Sequence, residues 1–441
     1  MRKGDFSKMI WEKEIECCNR QTIEEIQLER LKHMVEKAYN NVPFYKKKFD
    51  EIGLKPEHIQ SLKDVSKIPF TTKNDMREQY PYGLFAEPMK NIARIHASSG
   101  TTGKPVVAGY TKSDLKNWSN AIARLVTAAG VSDEDIAQVA FGYGLFTGGF
   151  GLHYGLERVG AALVPMSSGN TQKQIMLMQD FGTTALIATP SYAMYISEVI
   201  EEMQIPKSNF KLKYGLFGAE GMSEEMRQTL EKRFGALVTT NYGLTEVIGP
   251  GVSGECQYKC GQHINEDMFL VEIIDPNTGE VLPYGEKGEV VITTLTKEAM
   301  PVLRYRTRDI SNLILESCQC GRTSMRLANI QGRTDDMLII KGVNVFPSQI
   351  ESVVLGFPQV SPNYQLIVRR KNMLDNLEVV VELVDGSLLE KYSEIERLEK
   401  EISAKIHSVL GLKVKLRLAE PKSIERTTGK AKRVVDLRGQ E

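Results

Sequence analysis

The chain has no surplus of either charge. Its 56 Lys and Arg balance 56 Asp and Glu across 441 residues, a formal net charge of zero at neutral pH. That balance offers neither a basic face for nucleic acid nor a polybasic stretch for an anionic membrane surface. Long apolar runs are lacking too: no stretch approaches the roughly 18 apolar residues of a spanning helix. The start, Met1-Arg2-Lys3-Gly4-Asp5-Phe6, runs into charged sequence rather than the apolar centre of a secretory signal, so a cytoplasmic location is the expectation. Six cysteines in such a chain do not make a disulfide framework. Adjacent Cys17 and Cys18 read as core thiols in a helical region; the other four fall into two close sets.

What is present fits a soluble globular protein of two or more domains, with 41% apolar and 25% charged residues. One stretch organises the rest: Ser98, Ser99, Gly100, Thr101, Thr102, Gly103, Lys104 and Pro105. Two glycines let the backbone approach an oxyanion, four hydroxyls offer donors, and Lys104 adds mobile positive charge, so it reads as a phosphate-binding loop. It is not a Walker loop. That motif needs a hydroxyl after the lysine to hold magnesium, and here Pro105 follows.

From Asp135 to Ala219 strand-like and helix-like stretches alternate, with strands expected near 136–141, 162–165, 185–188 and 214–217, which implies βαβ units and parallel strands. Ligands of such sheets gather beyond the carboxyl ends of strands. Two segments fit that position. Phe141, Tyr143 and Phe146, separated by glycines, can wall an apolar pocket, although a glycine-rich packing turn accounts for the same letters; Gly218, Ala219 and Glu220 follow an apolar run directly. Next come Asn241, Tyr242, Gly243, Leu244, Thr245 and Glu246, in which a tyrosine can lie against a purine, a threonine can donate to phosphate and a glutamate can hold magnesium. Residues 268–294 read as β structure, and Tyr305-Arg306-Thr307-Arg308-Asp309 ends in an acid suited to accept both ribose hydroxyls. Arg306 and Arg308 beside an anionic nucleotide point to a partial binding role. Strands at 364–368, 377–383 and 413–418 with a helix at 393–409 make a compact C-terminal α+β unit.

Taken in order, these motifs resemble the signatures of the adenylate-forming enzymes, the acyl-CoA synthetase superfamily. The wording of residues 296–309 and 336–347 is similar to that of the phenylacetate-CoA ligase branch. Arg308 departs from the family's usual Tyr-x-Thr-Gly-Asp, in which glycine stands at this place. The resemblance implies a large multi-subdomain α/β N-terminal domain over 1–332 that binds ATP and the carboxylate, and a mobile α+β C-terminal domain over 333–441. It implies that Asp309 holds the ribose, that Arg333 contacts the nucleotide, and that Asp335 is the hinge. Lys430, after Gly429, matches the family's catalytic lysine, and Lys341 with Gly342 matches the loop lining the coenzyme A path. The implied reaction activates phenylacetate or a related aromatic acid as an acyl-adenylate and transfers it to coenzyme A, using ATP and magnesium on Glu246. A homodimer is a family-level expectation. Two other readings stand beside it: an adenylating enzyme that loads a carrier protein, and a nucleotide-binding homologue without turnover.

Cys256, Cys260 and His263 lie within eight residues, and Cys318 and Cys320 flank Gln319. Two such sets can complete a tetrahedral structural zinc site, with five candidates for four positions. The likeness to some ligases of the branch selects Cys256, His263, Cys318 and Cys320, with Cys260 as the substitute.

Overall fold

The computed structural model describes residues 9–98, 104–341, 343–371 and 374–438. Of the loop residues named above, Ser99, Gly100, Thr101, Thr102 and Gly103 lie outside the described residues, as does Gly342. The chain forms two compact units. The first comprises Met1–Thr189, Ile205–Ala219 and Ala236–Asn329; the second comprises Pro190–Gln204, Glu220–Gly235 and Ile330–Glu441.

In the first unit, β1 (Arg94–Ala97) and β2 (Val107–Tyr110) pair antiparallel and carry the base of the phosphate-loop candidate. The main sheet uses β3 (Ile136–Val139), β4 (Ala162–Val164), β5 (Ala185–Ala188), β6 (Tyr214–Gly218), β7 (Leu237–Leu244), β8 (Gly249–Glu255) and β9 (Gln262–Ile264). A second sheet follows from β10 (Phe269–Ile274), β11 (Gly288–Thr294) and β12 (Tyr305–Ser311), all antiparallel. Short strands β13 (Leu313–Ile314) and β14 (Arg326–Leu327) return to the main sheet, giving the order β13-β14-β9-β8-β7-β6-β5-β3-β4. The expected βαβ alternation appears as the parallel half, β4-β3-β5-β6-β7; the rest is antiparallel.

Helix Lys112–Ala129 starts in a capping box, Thr111 Oγ1 accepting from Asp114 N (3.0 Å) and Asp114 Oδ2 from Thr111 N (2.8 Å), and ends at Gly130 with φ +106°. It lies so close to helix Thr147–Val159 that a Cβ on Gly155 would stand 2.1 Å from Ile122 Cγ2. Part of the glycine-rich stretch is therefore helix packing. Cys17 and Cys18 correct the expectation of core thiols in a helix. They are half-buried in the turn between helix Lys13–Glu16 and helix Arg20–Asn41, because Asn19 begins a new helix there by accepting from Thr22 N.

The second unit holds β15 (Gly332–Arg333), the hairpin of β16 (Leu338–Ile340) and β17 (Val343–Val345), and a sheet of β18 (Val360–Lys371), β19 (Leu374–Leu383), β20 (Lys415–Ala419) and β21 (Val434–Asp436) in the order β20-β19-β18-β21. Helix Tyr392–Leu410 buries Leu398, Ile402, Ile406 and Leu410, one stripe at helical spacing, in the core formed with Val379, Val381 and Leu366. No strand was expected beyond residue 418; β21 pairs parallel with β18 through Leu366↔Val434.

Candidate active site and metal centre

Strand β6 ends at Gly218, whose register partner on β7 is Asn241; a Cβ on Gly218 would meet Asn241 Oδ1 at 2.8 Å. Ala219 follows with φ +72°, a left-handed conformation that turns the chain sharply at the carboxyl end of the sheet. Strand β7 carries Tyr242 and Gly243, and a tight turn then presents Thr245 and Glu246 before β8. Gly243 is obligatory there, since a Cβ would stand 1.9 Å from Gly249 O.

Tyr242 Oη donates to Asp309 Oδ2 at 2.5 Å, joining the two residues read as purine and ribose contacts. Thr245 and Thr147 share a hydroxyl hydrogen bond of 3.1 Å. Glu246 is 5% exposed, with Lys73 Nζ 3.5 Å from its Oε1. Behind this turn, Tyr110 Oη donates to Ile248 O (2.8 Å) and Trp118 Nε1 to Pro250 O (2.7 Å), while their rings stack at 5.0 Å. The loop base is joined to the same region. Ser98 N donates to Val106 O, Ser98 Oγ accepts from Val106 N, and both Ala97 N and His96 Nδ1 lie 3.0 Å from Leu145 O. Lys104 is exposed, its Nζ 5.4 Å from the centre of the Tyr80 ring.

The acyl-pocket candidates differ in exposure. Phe141 is buried over Gly148, and Tyr143 lies against Gly149 with its hydroxyl 3.1 Å from His153 Nδ1; burial pushes the Tyr143 phenol up to about 12. Phe146, 49% exposed, precedes the helix at the surface. Arg306 has a structural partner, making a bidentate pair with the fully buried carboxylate of Glu289. Arg308 N also donates to Glu289, and Arg308 adopts φ +70°. Where the family's usual motif has glycine, this chain holds an arginine in a left-handed backbone.

In the second unit Glu220 accepts from Ser191 N (2.7 Å) and Ala431 N (3.1 Å). Arg333 pairs bidentately with Asp335 (2.9 and 3.1 Å) and lies 3.6 Å from Asp336. Lys341 sits exposed at φ +50° after β16, and Lys430 is exposed.

Sequence reasoning missed Lys73, Thr147 and Lys297. Lys297 is 2% exposed, its Nζ 3.2 Å from the centre of the Tyr110 ring and without a hydrogen-bond partner among the described residues. Burial pushes its amine down to about 7. Nothing in the linear order announces these contacts, which join segments far apart in the chain.

Cys256, His263, Cys318 and Cys320 converge as buried groups whose ligand atoms all lie within 4.8 Å of one another. Cys256 Sγ is 3.7 Å from Cys318 Sγ, and Cys320 Sγ is 3.3 Å from His263 Nε2. A zinc at about 2.3 Å from each thiolate sets tetrahedral sulfurs about 3.8 Å apart, so the donor set and its spacing fit that ion. His263 Nδ1 lies 3.1 Å from Ser324 Oγ, which orients the ring and leaves Nε2 facing the sulfurs. Hydrogen bonds from Cys256 and Cys318 pull the Cys320 thiol well below its ordinary range. Cys260, exposed, lies 3.5 Å from Cys318 Sγ.

Residues 24–296 match the AMP-binding enzyme family, and residues 342–438 match the AMP-binding enzyme C-terminal domain. The chain is 48% identical to a phenylacetate-coenzyme A ligase of Aromatoleum evansii over 97% of each chain. It is 46% identical to one of Thermus thermophilus, over 98% of this chain and 100% of that enzyme. The crystal structure of 2-hydroxyisobutyryl-CoA ligase in the postadenylation state, in complex with R3-HIB-AMP, superposes with a TM-score of 0.91 at 27% identity, covering 99% of this chain and 94% of that one. Among the described residues no helix is long and apolar enough to cross a membrane.

Proposed function

The chain belongs to the AMP-binding enzyme family and, within it, to the phenylacetate-coenzyme A ligases, and from that premise we infer that it joins phenylacetate or a closely related aromatic acid to coenzyme A. It is an AMP-forming acid–thiol ligase. A carboxylate oxygen attacks the α-phosphorus of ATP and pyrophosphate leaves; the thiol of coenzyme A then attacks the acyl carbon and AMP leaves. Little covalent work falls to the protein in the first step, where positioning and charge neutralisation lower the barrier.

Asp309 accepts the ribose hydroxyls, its carboxylate oriented by the Tyr242 hydroxyl, and the Tyr242 ring lies against the adenine with Asn241, Gly243, Gly218, Ala219 and Glu220 nearby. Thr245 and the loop from Ser98 to Lys104 donate to the phosphates. Glu246 would hold magnesium, which when bound neutralises phosphate charge; a single carboxylate with the remaining sites left to water and phosphate suits that ion. Phe141 and Tyr143 wall the acid's ring, with Ala219 at its edge and Phe146 at the entrance. Lys430 supplies positive charge to the first step, and Arg333 contacts the nucleotide. Residues 333–441 turn about Asp335 between steps, and Lys341 with Gly342 then borders the pantetheine arm. Zinc on Cys256, His263, Cys318 and Cys320 is structural, because four protein ligands leave no open position.

The observation that carries this reading is 48% identity to a phenylacetate-coenzyme A ligase over nearly the whole of both chains. Incubation with ATP, magnesium, coenzyme A and a panel of acids, read by mass spectrometry, is expected to yield AMP and phenylacetyl-CoA, with aliphatic acids much poorer. Adenylate formation without thioester would favour a carrier-protein acceptor, and ATP binding without any product would favour a homologue lacking turnover.

A further inference from the structure

The residue read as the catalytic lysine stands in a segment without regular structure, which the second unit pins on both sides. Ahead of Lys430, the Arg426 guanidinium is held by two carboxylates. Glu382, fully buried, accepts from Nη1 and Nη2 at 2.8 Å each, and Glu198 on helix Pro190–Glu202 accepts from Nε at 3.1 Å. The other oxygen of Glu198 accepts from Asn363 Nδ2 (2.9 Å), at the start of β18. Behind Lys430, Glu220 accepts the backbone N–H of Ala431 at 3.1 Å while its other oxygen accepts Ser191 N at 2.7 Å, at the first turn of the same helix. Leu366 N then donates to Arg433 O and the chain enters β21.

These carboxylates differ from an ordinary surface pair in burial and in the number of hydrogen bonds. The side chains of Glu198 and Arg426 are 16% and 17% exposed, and each carboxylate oxygen has its own donor, so the arrangement fixes geometry as well as charge. Glu202 on the same helix, by contrast, meets Lys422 in a pair with side chains 47% and 67% exposed, of the kind that contributes little. Lys430 itself has no ion pair among the described residues, leaving its ammonium available.

We propose that Glu198 and Glu220 are positioning residues for the adenylation step: they clasp the segment 426–431 to helix Pro190–Glu202 and so hold Lys430 where it serves the first half-reaction. The inference rests on the reading of Lys430 given above, and for Glu220 it replaces direct nucleotide contact by a hold on the lysine segment.

The test measures the two half-reactions separately in the full chain. Acid-dependent exchange of labelled pyrophosphate into ATP reads the first, and thioester formation from supplied phenylacetyl-adenylate and coenzyme A reads the second. Losing a charge-assisted hydrogen bond in Glu198→Gln, or one of two backbone acceptor bonds in Glu220→Gln, is expected to slow exchange about tenfold or more at saturating ATP. The KM for ATP, the melting temperature and the second half-reaction stay near wild type, and Glu202→Gln behaves as wild type throughout. Lys430→Ala is run alongside. If it leaves exchange intact, the reading of Lys430 is wrong. If it abolishes exchange while both glutamine variants exchange at the wild-type rate, the clasp is wrong. A raised KM for ATP with kcat unchanged in Glu220→Gln would return that residue to the nucleotide site and also overturn its role here.

Discussion

Lys297 shows how one residue's environment sets a property that no motif describes. Its amine is buried against Tyr110 with no hydrogen-bond partner among the described residues, and burial pushes it down to about 7 from an ordinary value near 10.5. Between those values the unfolded chain holds a proton that the folded chain has lost, so this group makes stability rise with pH from about 7 to about 10. Below pH 7 the folded protein carries a buried ammonium at nearly full cost. Each tenfold loss of proton affinity on folding corresponds to about 1.4 kcal/mol, so Lys297→Met is expected to stabilise the fold by about 1–3 kcal/mol at pH 6 and by less at pH 9. Denaturant titrations at both pH values check this; an equal change at both, or a loss at pH 6, would contradict it. The letters around Lys297 gave no hint of this burial. Arg308 is the complementary case: the sequence displayed the departure from glycine, and only the structure shows that the arginine sits at φ +70°, a conformation glycine adopts more readily.

Elements were legible where their periodicity was strong. The strands at 185–188 and 214–218 and the helix Tyr392–Leu410 bury continuous or regularly spaced apolar residues and stand at the expected places. The two-residue strands β13 and β14 and the tail strand β21 were not, because segments so short carry no period and owe their form to partners elsewhere in the chain. The glycines of 142–155 were ambiguous for a different reason. A glycine that admits a ring and one that admits a neighbouring helix read alike, and Gly148 does the first while Gly155 does the second.

The cysteine sets act on this scale as well, since a metal would join β8 and β9 to the loop between β13 and β14. Protein purified in zinc is expected to hold one equivalent by elemental analysis. Chelation is expected to lower the melting temperature by several degrees, and Cys318→Ser to remove the metal. Cys260→Ser is expected to retain it. Retention of a full equivalent by Cys318→Ser but not by Cys260→Ser would exchange their roles.

For the molecule as a whole, the sequence order of the motifs outlined a ligand-binding α/β fold. The structure accounts for that order: β6, β7 and the turn after it place Gly218, Tyr242, Thr245 and Glu246 on successive pieces of one sheet edge, and β12 brings Asp309 to Tyr242. What the order could not convey is the support behind that edge: Thr147 on Thr245, Lys73 near Glu246, and the Tyr110–Trp118 stack under the 248–250 backbone. As proposed above, this site makes an acyl-adenylate before any thiol is involved. The most direct test is exchange of labelled pyrophosphate into ATP with coenzyme A withheld. Exchange that depends on phenylacetate, and that gives way to AMP and phenylacetyl-CoA once coenzyme A is added, is the expected result. Exchange absent without coenzyme A, while thioester still forms in its presence, would contradict a free-standing adenylation step.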